Sequence, residues 1–243
     1  FCEVSSNNSS IVSKSSSEYN QPLSTWSMFL SNAAYNPLPN DMALNIPGSF
    51  MDDPTTITSE LTDKHFEHIE QYRYDDPEFS TAAHTIAHKK IPNTDGSYKT
   101  LIMVAIRGTA SSIEWLTDAA SILEDQQIGF LGAKTEVLNN LNAYLQTYNE
   151  SFENDKVILV TGHSMGAAVA NLIADSLNRS AAWGPSKVYA YTFATPNVGS
   201  NISTNYTNIF NILNRSDYVT LVPRSLVPTA FATEEQLWGR HGI

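Results

Sequence analysis

Between Val157 and Ala174 the chain reads as a buried strand, a tight turn and a small-residue helix in immediate succession. The strand is the β-branched run Val157-Ile158-Leu159-Val160-Thr161, and the helix begins with Ala167-Ala168-Val169-Ala170. Gly162-His163-Ser164-Met165-Gly166 joins them, and G-x-S-x-G in that setting is the pattern of a nucleophile elbow. So sharp a turn forces the central residue into a strained backbone conformation and lifts its side chain clear of the sheet. Side chains two positions to either side would strike neighbouring backbone, which accounts for Gly162 and Gly166. The alternative is a glycine-rich βα turn with a bystander serine; the strand and helix around it favour the elbow. Ser164 is the candidate nucleophile, and the chain is constrained to an α/β architecture.

At 243 residues the chain has room for one such domain with a large core. Its net charge of −11 disfavours nucleic acid and anionic membrane surfaces as partners. No apolar run approaches the ~18 residues that a membrane-spanning helix needs. Cys2 is alone, so no internal disulfide forms and packing must hold the fold. Phe1 in place of methionine suggests a processed or trimmed N-terminus. The Ser/Asn-rich stretch from Ser5 to Ser17 has little to bury, so residues 1–20 are expected to be a flexible tail and 21–243 the domain. N-x-S/T triplets at Asn8, Asn149, Asn178, Asn201, Asn205 and Asn214 lend slight support to secretion in so Asn-rich a chain.

Pro22 opens a helical pattern with Leu23, Trp26, Phe29, Leu30 and Ala33 on one face. Leu61 to Phe66 and Ile69 to Tyr72 continue at helical spacing. Ala82–Ala87 and Leu101–Ile106 read as a hairpin turning at Asn93-Thr94-Asp95-Gly96. Thr135 to Tyr148 reads as an amphipathic helix. Two strand–turn units follow the elbow, Lys187–Phe193 and Ile209–Leu213. Strands alternating with helices predict a mostly parallel sheet with helices on both faces.

A serine nucleophile needs a base to take its proton and a carboxylate to orient the base. In chain order the acid should follow Ser164, past the end of a strand. Asp217, after the apolar strand Ile209–Leu213, fits, as does the plainer role of a turn aspartate. Five segments in register are similar to the class 3 (fungal-type) lipase family of the α/β-hydrolase superfamily. They are Ile106-Arg107-Gly108-Thr109, Glu114-Trp115-Leu116-Thr117-Asp118, Val160 through Gly166, Phe193-Ala194-Thr195-Pro196-Asn197-Val198-Gly199, and Asn214-Arg215-Ser216-Asp217 through Pro223. Ser31-Asn32-Ala33-Ala34-Tyr35 resembles the opening helix of that family, and the likeness runs from about Pro22 to Ile243.

The resemblance implies an α/β-hydrolase fold and a carboxylic ester hydrolase acting on lipid esters, secreted or at the cell surface, without a cofactor or metal. It makes Ser164 the nucleophile, Asp217 the orienting acid, and Thr109 with the Met165 N–H the oxyanion hole. The base is open between two readings. His241 is the one histidine after Asp217, but it comes early for the family and its surroundings, Leu237-Trp238-Gly239-Arg240-His241-Gly242, look like a segment that precedes the catalytic loop. The base is therefore either His241 or a residue beyond Ile243, with the domain truncated or non-catalytic in the latter case. His163 is expected to pack the elbow. His65 and His68, three apart on a possible helix with Glu67 and Glu70 nearby, are expected on a solvated helix face, a metal site being the alternative, and His84 and His88 as ordinary hairpin side chains. Residues 110–132 are a candidate lid, with Ile113, Trp115, Leu116, Ile122 and Leu123 as its apolar face, or else a connection whose Trp115 and Leu116 pack in the core. Phospholipase A1, feruloyl esterase and a non-catalytic binding protein of the same fold are the alternatives.

Overall fold

A computed structural model describes residues 12, 14–35, 56–74, 82–93, 95–108, 123–200, 205–213, 238–239 and 242–243. At 123–128, 199–200 and 238–239 it describes the backbone alone. The strands are β1 (Glu67–Tyr72), β2 (His84–Pro92), β3 (Tyr98–Ile106), β4 (Lys156–His163), β5 (Val188–Phe193), β6 (Gly199–Ser200), β7 (Ile209–Ile212) and β8 (Trp238–Gly239). The helices are α1 (Gln21–Ala33), α2 (Ile57–Asp63), α3 (Leu123–Thr147) and α4 (Met165–Arg179). Six strands make one sheet in the order β1-β2-β3-β4-β5-β7, while β6 and β8 pair separately. β2 runs antiparallel to its neighbours β1 and β3, and β3, β4, β5 and β7 run parallel.

The central strands are apolar on both faces because helices cover both. Period-two alternation divides them: Ile102, Val104, Ile106, Ile158 and Val160 join a cluster with Val137 and Leu141 of α3 and Val169 and Ile173 of α4. Leu101, Met103, Ala105, Val157 and Leu159 join Leu23, Trp26 and Leu30 of α1 with Ile57 and Leu61 of α2. Burying each such side chain contributes roughly 1.5–3 kcal/mol. Helix α1 starts as its sequence predicts, with Pro22 in the first turn and the Asn20 side chain accepting the Leu23 N–H at 3.2 Å. The Ser31 and Thr161 hydroxyls meet at 2.8 Å, pinning α1 to β4 one residue before the elbow glycine.

The hairpin β2–β3 forms as expected, with His84 opposite Ile106 and Pro92 opposite Tyr98. Two expectations are corrected. Residues Glu67–Tyr72 form edge strand β1, not helix, because α2 ends at Asp63 and His65 turns into the left-handed region (φ 59°). Helix α3 begins at Leu123, twelve residues before the predicted Thr135. Gly129 and Gly132 each weaken helix propensity by about 1 kcal/mol relative to alanine, which obscured that start. Burial of Phe130, Ala133, Val137, Leu141 and Tyr144 on one face outweighs them. The segment expected as a tail makes contacts from Val12 onward: Ser16 Oγ donates to the Pro185 carbonyl at 2.7 Å, and the Lys14 carbonyl accepts from Tyr189 Oη at 2.9 Å. Among the described residues no helix is long and apolar enough to cross a membrane.

Candidate active site

The parallel strands end at one level. Ile106 lies opposite Gly162, His163 opposite Phe193, and Phe193 opposite Ile212. Ser164 follows β4 directly with φ 56° and ψ −124°, and the next residue, Met165, begins α4. Its N–H donates to the Phe193 carbonyl at 2.9 Å, and its carbonyl accepts from the N–H of Ala167 at 2.9 Å. Positive φ is costly for a residue with a Cβ and persists where the surroundings over-determine it. The surroundings here are backbone. A Cβ on Gly162 would sit 2.5 Å from the Gly166 carbonyl oxygen, and one on Gly166 would sit 2.4 Å from that of Ile106. Ser164 itself is partly exposed, while Gly162 and Met165 beside it are buried. Met165 stands in the first turn of α4, where the helix dipole places partial positive charge.

The exit of β3 is pressed onto this turn. A Cβ on Gly108 would fall 1.9 Å from Tyr35 Oη and 2.7 Å from the His163 carbonyl oxygen. The Tyr35 hydroxyl therefore lies directly against the Gly108 backbone. The Tyr35 hydroxyl also meets His163 Nδ1 at 3.1 Å. Tyr35 thus clamps the two backbone turns and engages Nδ1 of His163, which packs the elbow as expected. Burial raises the Tyr35 pKa well above the ordinary phenol value, opposed by the nearby Arg107 charge and the Gly108 contact. Arg107 is buried, with its guanidinium 5.3 Å from the Tyr74 ring centroid. Its Nε and Nη1 have no hydrogen-bond partner among the described residues. Burial lowers its pKa, and the same environment raises that of Tyr74 to about 12.

Beyond β5 a hydroxyl–amide chain fixes the next strand. Thr195 Oγ1 donates to Thr192 Oγ1 at 2.8 Å, Thr192 Oγ1 to Asn211 Oδ1 at 2.9 Å, and Asn171 Nδ2 of α4 to the same oxygen at 3.1 Å. Asn178 and Asn208 exchange two side-chain hydrogen bonds of 3.0 and 2.9 Å and are buried, so the Asn178 triplet is not an exposed acceptor. The roles of Tyr35 and of this chain escaped the sequence reading, because each joins residues far apart along the polypeptide.

Of the five predicted site residues, Ser164 and Met165 fall at the elbow. Thr109, Asp217 and His241 lie outside the described residues, as does the lid candidate from 110 to 122. The remainder of the lid candidate, 123–132, is the first part of α3, where Phe130 is buried in the core. Thr109 follows Gly108 directly in the chain, and Asp217 comes five residues after Ile212.

A lipase of Rhizomucor miehei is 29% identical over 154 residues, which are 58% of this chain and 42% of that protein. A secreted mono- and diacylglycerol lipase A of Penicillium cyclopium is 28% identical over 156 residues, 59% of this chain and 48% of that one. A chloroplastic phospholipase A(1), DAD1, of Arabidopsis thaliana is 25% identical over 150 residues, 50% of this chain and 33% of that one. The chain therefore spans less than half the length of these relatives. Among solved structures, the triacylglyceride lipase of Rhizomucor miehei superposes with a TM-score of 0.58 at 23% identity, covering 88% of this chain and 78% of that one. An MDLA variant from Penicillium cyclopium superposes at 0.55 and 19% identity, covering 92% and 88%. These likenesses show the α/β-hydrolase fold. The family model described as lipase (class 3) matches residues 103–226, from within β3 across the elbow and past β7. That match runs through the very segments that the glycines and Tyr35 press together, and the chain belongs to the class 3 lipase family.

Proposed function

We propose that the chain hydrolyses carboxylic esters of lipids, acylglycerols foremost, through an acyl-enzyme on Ser164. The observation that carries this reading is the strained, partly exposed Ser164 between β4 and α4 at the common end of four parallel strands. A hydroxyl held clear of the sheet there meets an ester carbonyl beside the N-terminus of α4. The Met165 N–H and Thr109 would receive the negative charge that builds on the carbonyl oxygen, each such donor contributing ~10²–10³ in rate. Asp217 would orient the imidazole that takes the serine proton and returns it to the leaving alcohol. The names of the relatives support acylglycerols as substrates and an extracellular place of action, with phospholipids the next substrates to try.

One observation bears on the base. Gly242, which follows His241 directly, lies against Ile209, and Ile243 exchanges hydrogen bonds with Ile209 and Asn211 alongside β7. Ile209 is four residues short of the level of Ser164, about 13 Å along a strand. This favours a base other than His241. Hydrolysis of p-nitrophenyl and acylglycerol esters tests the proposal: Ser164→Ala should abolish turnover and fluorophosphonate labelling. Unlabelled, inactive wild-type protein would instead support a non-catalytic binding role. His241→Ala should retain activity if the base lies elsewhere, and lose it if His241 serves.

A further inference from the structure

Toward the β1 edge of the sheet, midway along β2, three metal-ligating side chains converge that the ester chemistry does not use. One donor atom from each of Glu67, His68 and His88 lies within 4.8 Å of the other two. Consecutive residues of a regular strand point to opposite faces, so Glu67 and His68 should not meet on one side. An irregularity brings them together. Glu67 lies opposite His88 and Glu70 opposite Ile86, so the ladder carries one extra residue on β1 between them. His68 sits in that bulge with φ 50°, an uncommon conformation for a non-glycine residue. Bulges re-aim side chains, and local strain of this kind is a pointer to function. Here it brings the exposed His68 ring over His88, with centroids 5.2 Å apart.

The deeper ligand is already oriented. Tyr144 Oη donates to the His68 carbonyl at 2.8 Å, so at its 2.8 Å contact with His88 Nδ1 it accepts. His88 Nε2 faces the Ser151 hydroxyl at 3.0 Å, which also donates to the Tyr148 carbonyl at 2.7 Å, so an ion on Nε2 would take the place of that contact. Holding the non-ligating nitrogen by a hydrogen bond is how proteins fix a metal-binding imidazole. Glu70 is engaged by the hydroxyls of Tyr72 and Tyr148, which leaves Glu67 as the carboxylate of the set.

We propose that Glu67, His68 and His88 form a binding site for a divalent transition metal of the zinc type. Two imidazoles and one carboxylate suit Zn²⁺, whereas Ca²⁺ and Mg²⁺ call for oxygen ligands. His68, being exposed, turns its ring to share the ion with His88, and water completes the coordination. His88 lies opposite Ile102, four residues before the end of β3, so the site is about 13 Å along the sheet from the level of the elbow. A bound ion would staple edge strand β1 to β2.

Titration calorimetry with ZnCl₂ tests the proposal, with thermal unfolding as an independent readout. One Zn²⁺ per chain should bind and raise Tm. Glu67→Gln and His68→Ala, both at exposed positions, should each weaken binding at least about tenfold, and Co²⁺ should give the visible absorption of a four-coordinate centre. His65→Ala, at an exposed neighbour outside the cluster, should leave affinity unchanged. Absence of saturable binding, full affinity in His68→Ala, or an equal loss in His65→Ala would each overturn the proposal.

Discussion

Replacing Ser164 by glycine should make the protein more stable than replacing it by alanine. The residue holds φ 56° and ψ −124°, open to glycine and strained for any residue with a Cβ. Such conformations cost ~1–3 kcal/mol, and alanine keeps the strain while glycine releases it. Both substitutions remove the hydroxyl, so comparing them isolates the backbone. Against the release stands the greater freedom of glycine in the unfolded chain, ~0.5–1 kcal/mol. The difference is then about 0–2.5 kcal/mol in favour of glycine, centred near 1 kcal/mol, or about 2–4 °C in Tm for a chain of this size. Thermal and urea melts of the two variants give the comparison. Ser176→Gly and Ser176→Ala, within α4, serve as the control pair, in which glycine should be the less stable by about 1 kcal/mol. If glycine at 164 is the less stable by that same margin, the turn is relaxed and the strain argument fails.

Tyr35→Phe removes the hydroxyl that packs on Gly108 and pairs with His163 Nδ1, at about 1–3 kcal/mol, and should lower kcat more than it raises KM; an unchanged Tm would refute the clamp. Asp217→Asn should reduce kcat by about 10⁴ if it orients the base, with Tm nearly unchanged; wild-type turnover would remove it from the mechanism. His84 donates from Nδ1 to the Ala82 carbonyl at 2.7 Å, its Nε2 faces Asn140 Nδ2 at 3.2 Å, and burial pulls its pKa down to about 4. The unfolded chain, near 6.5, binds that proton first, so the His84 contribution is intact above pH 6.5. It is lost as pH falls toward 4, at up to about 1.4 kcal/mol per pH unit. Urea midpoints of wild type and His84→Gln between pH 7.5 and 4.5 should converge with acid; parallel curves would refute this.

Local signals made part of this molecule legible. The elbow could be read because strand, turn and helix are contiguous, and the glycines mark where a Cβ meets backbone at 2.4–2.5 Å. The β2–β3 hairpin could be read from its turn residues. Strand β1 was mistaken for helix because its bulge spoils the period-two alternation, leaving the apolar spacing of Phe66, Ile69 and Tyr72 to imitate helical periodicity. The start of α3 was hidden by two glycines whose propensity cost is offset by burial against the sheet. His68 and His88 looked unrelated for the same reason that β1 was misread: only strand pairing brings them together.

From the sequence alone came the α/β class, the family, the tight turn at Ser164 and the order of the segments around it, all carried by bonds and sterics within a few residues. The tertiary structure alone decided that α3 reaches back to Leu123, that Tyr35 bridges Gly108 and His163, and that Glu67, His68 and His88 share one side of the sheet. Those outcomes depend on burial and on partners dozens of residues away. Whether such contacts offset a glycine in a helix or a left-handed histidine in a strand depends on the assembled core, and no local pattern records that balance.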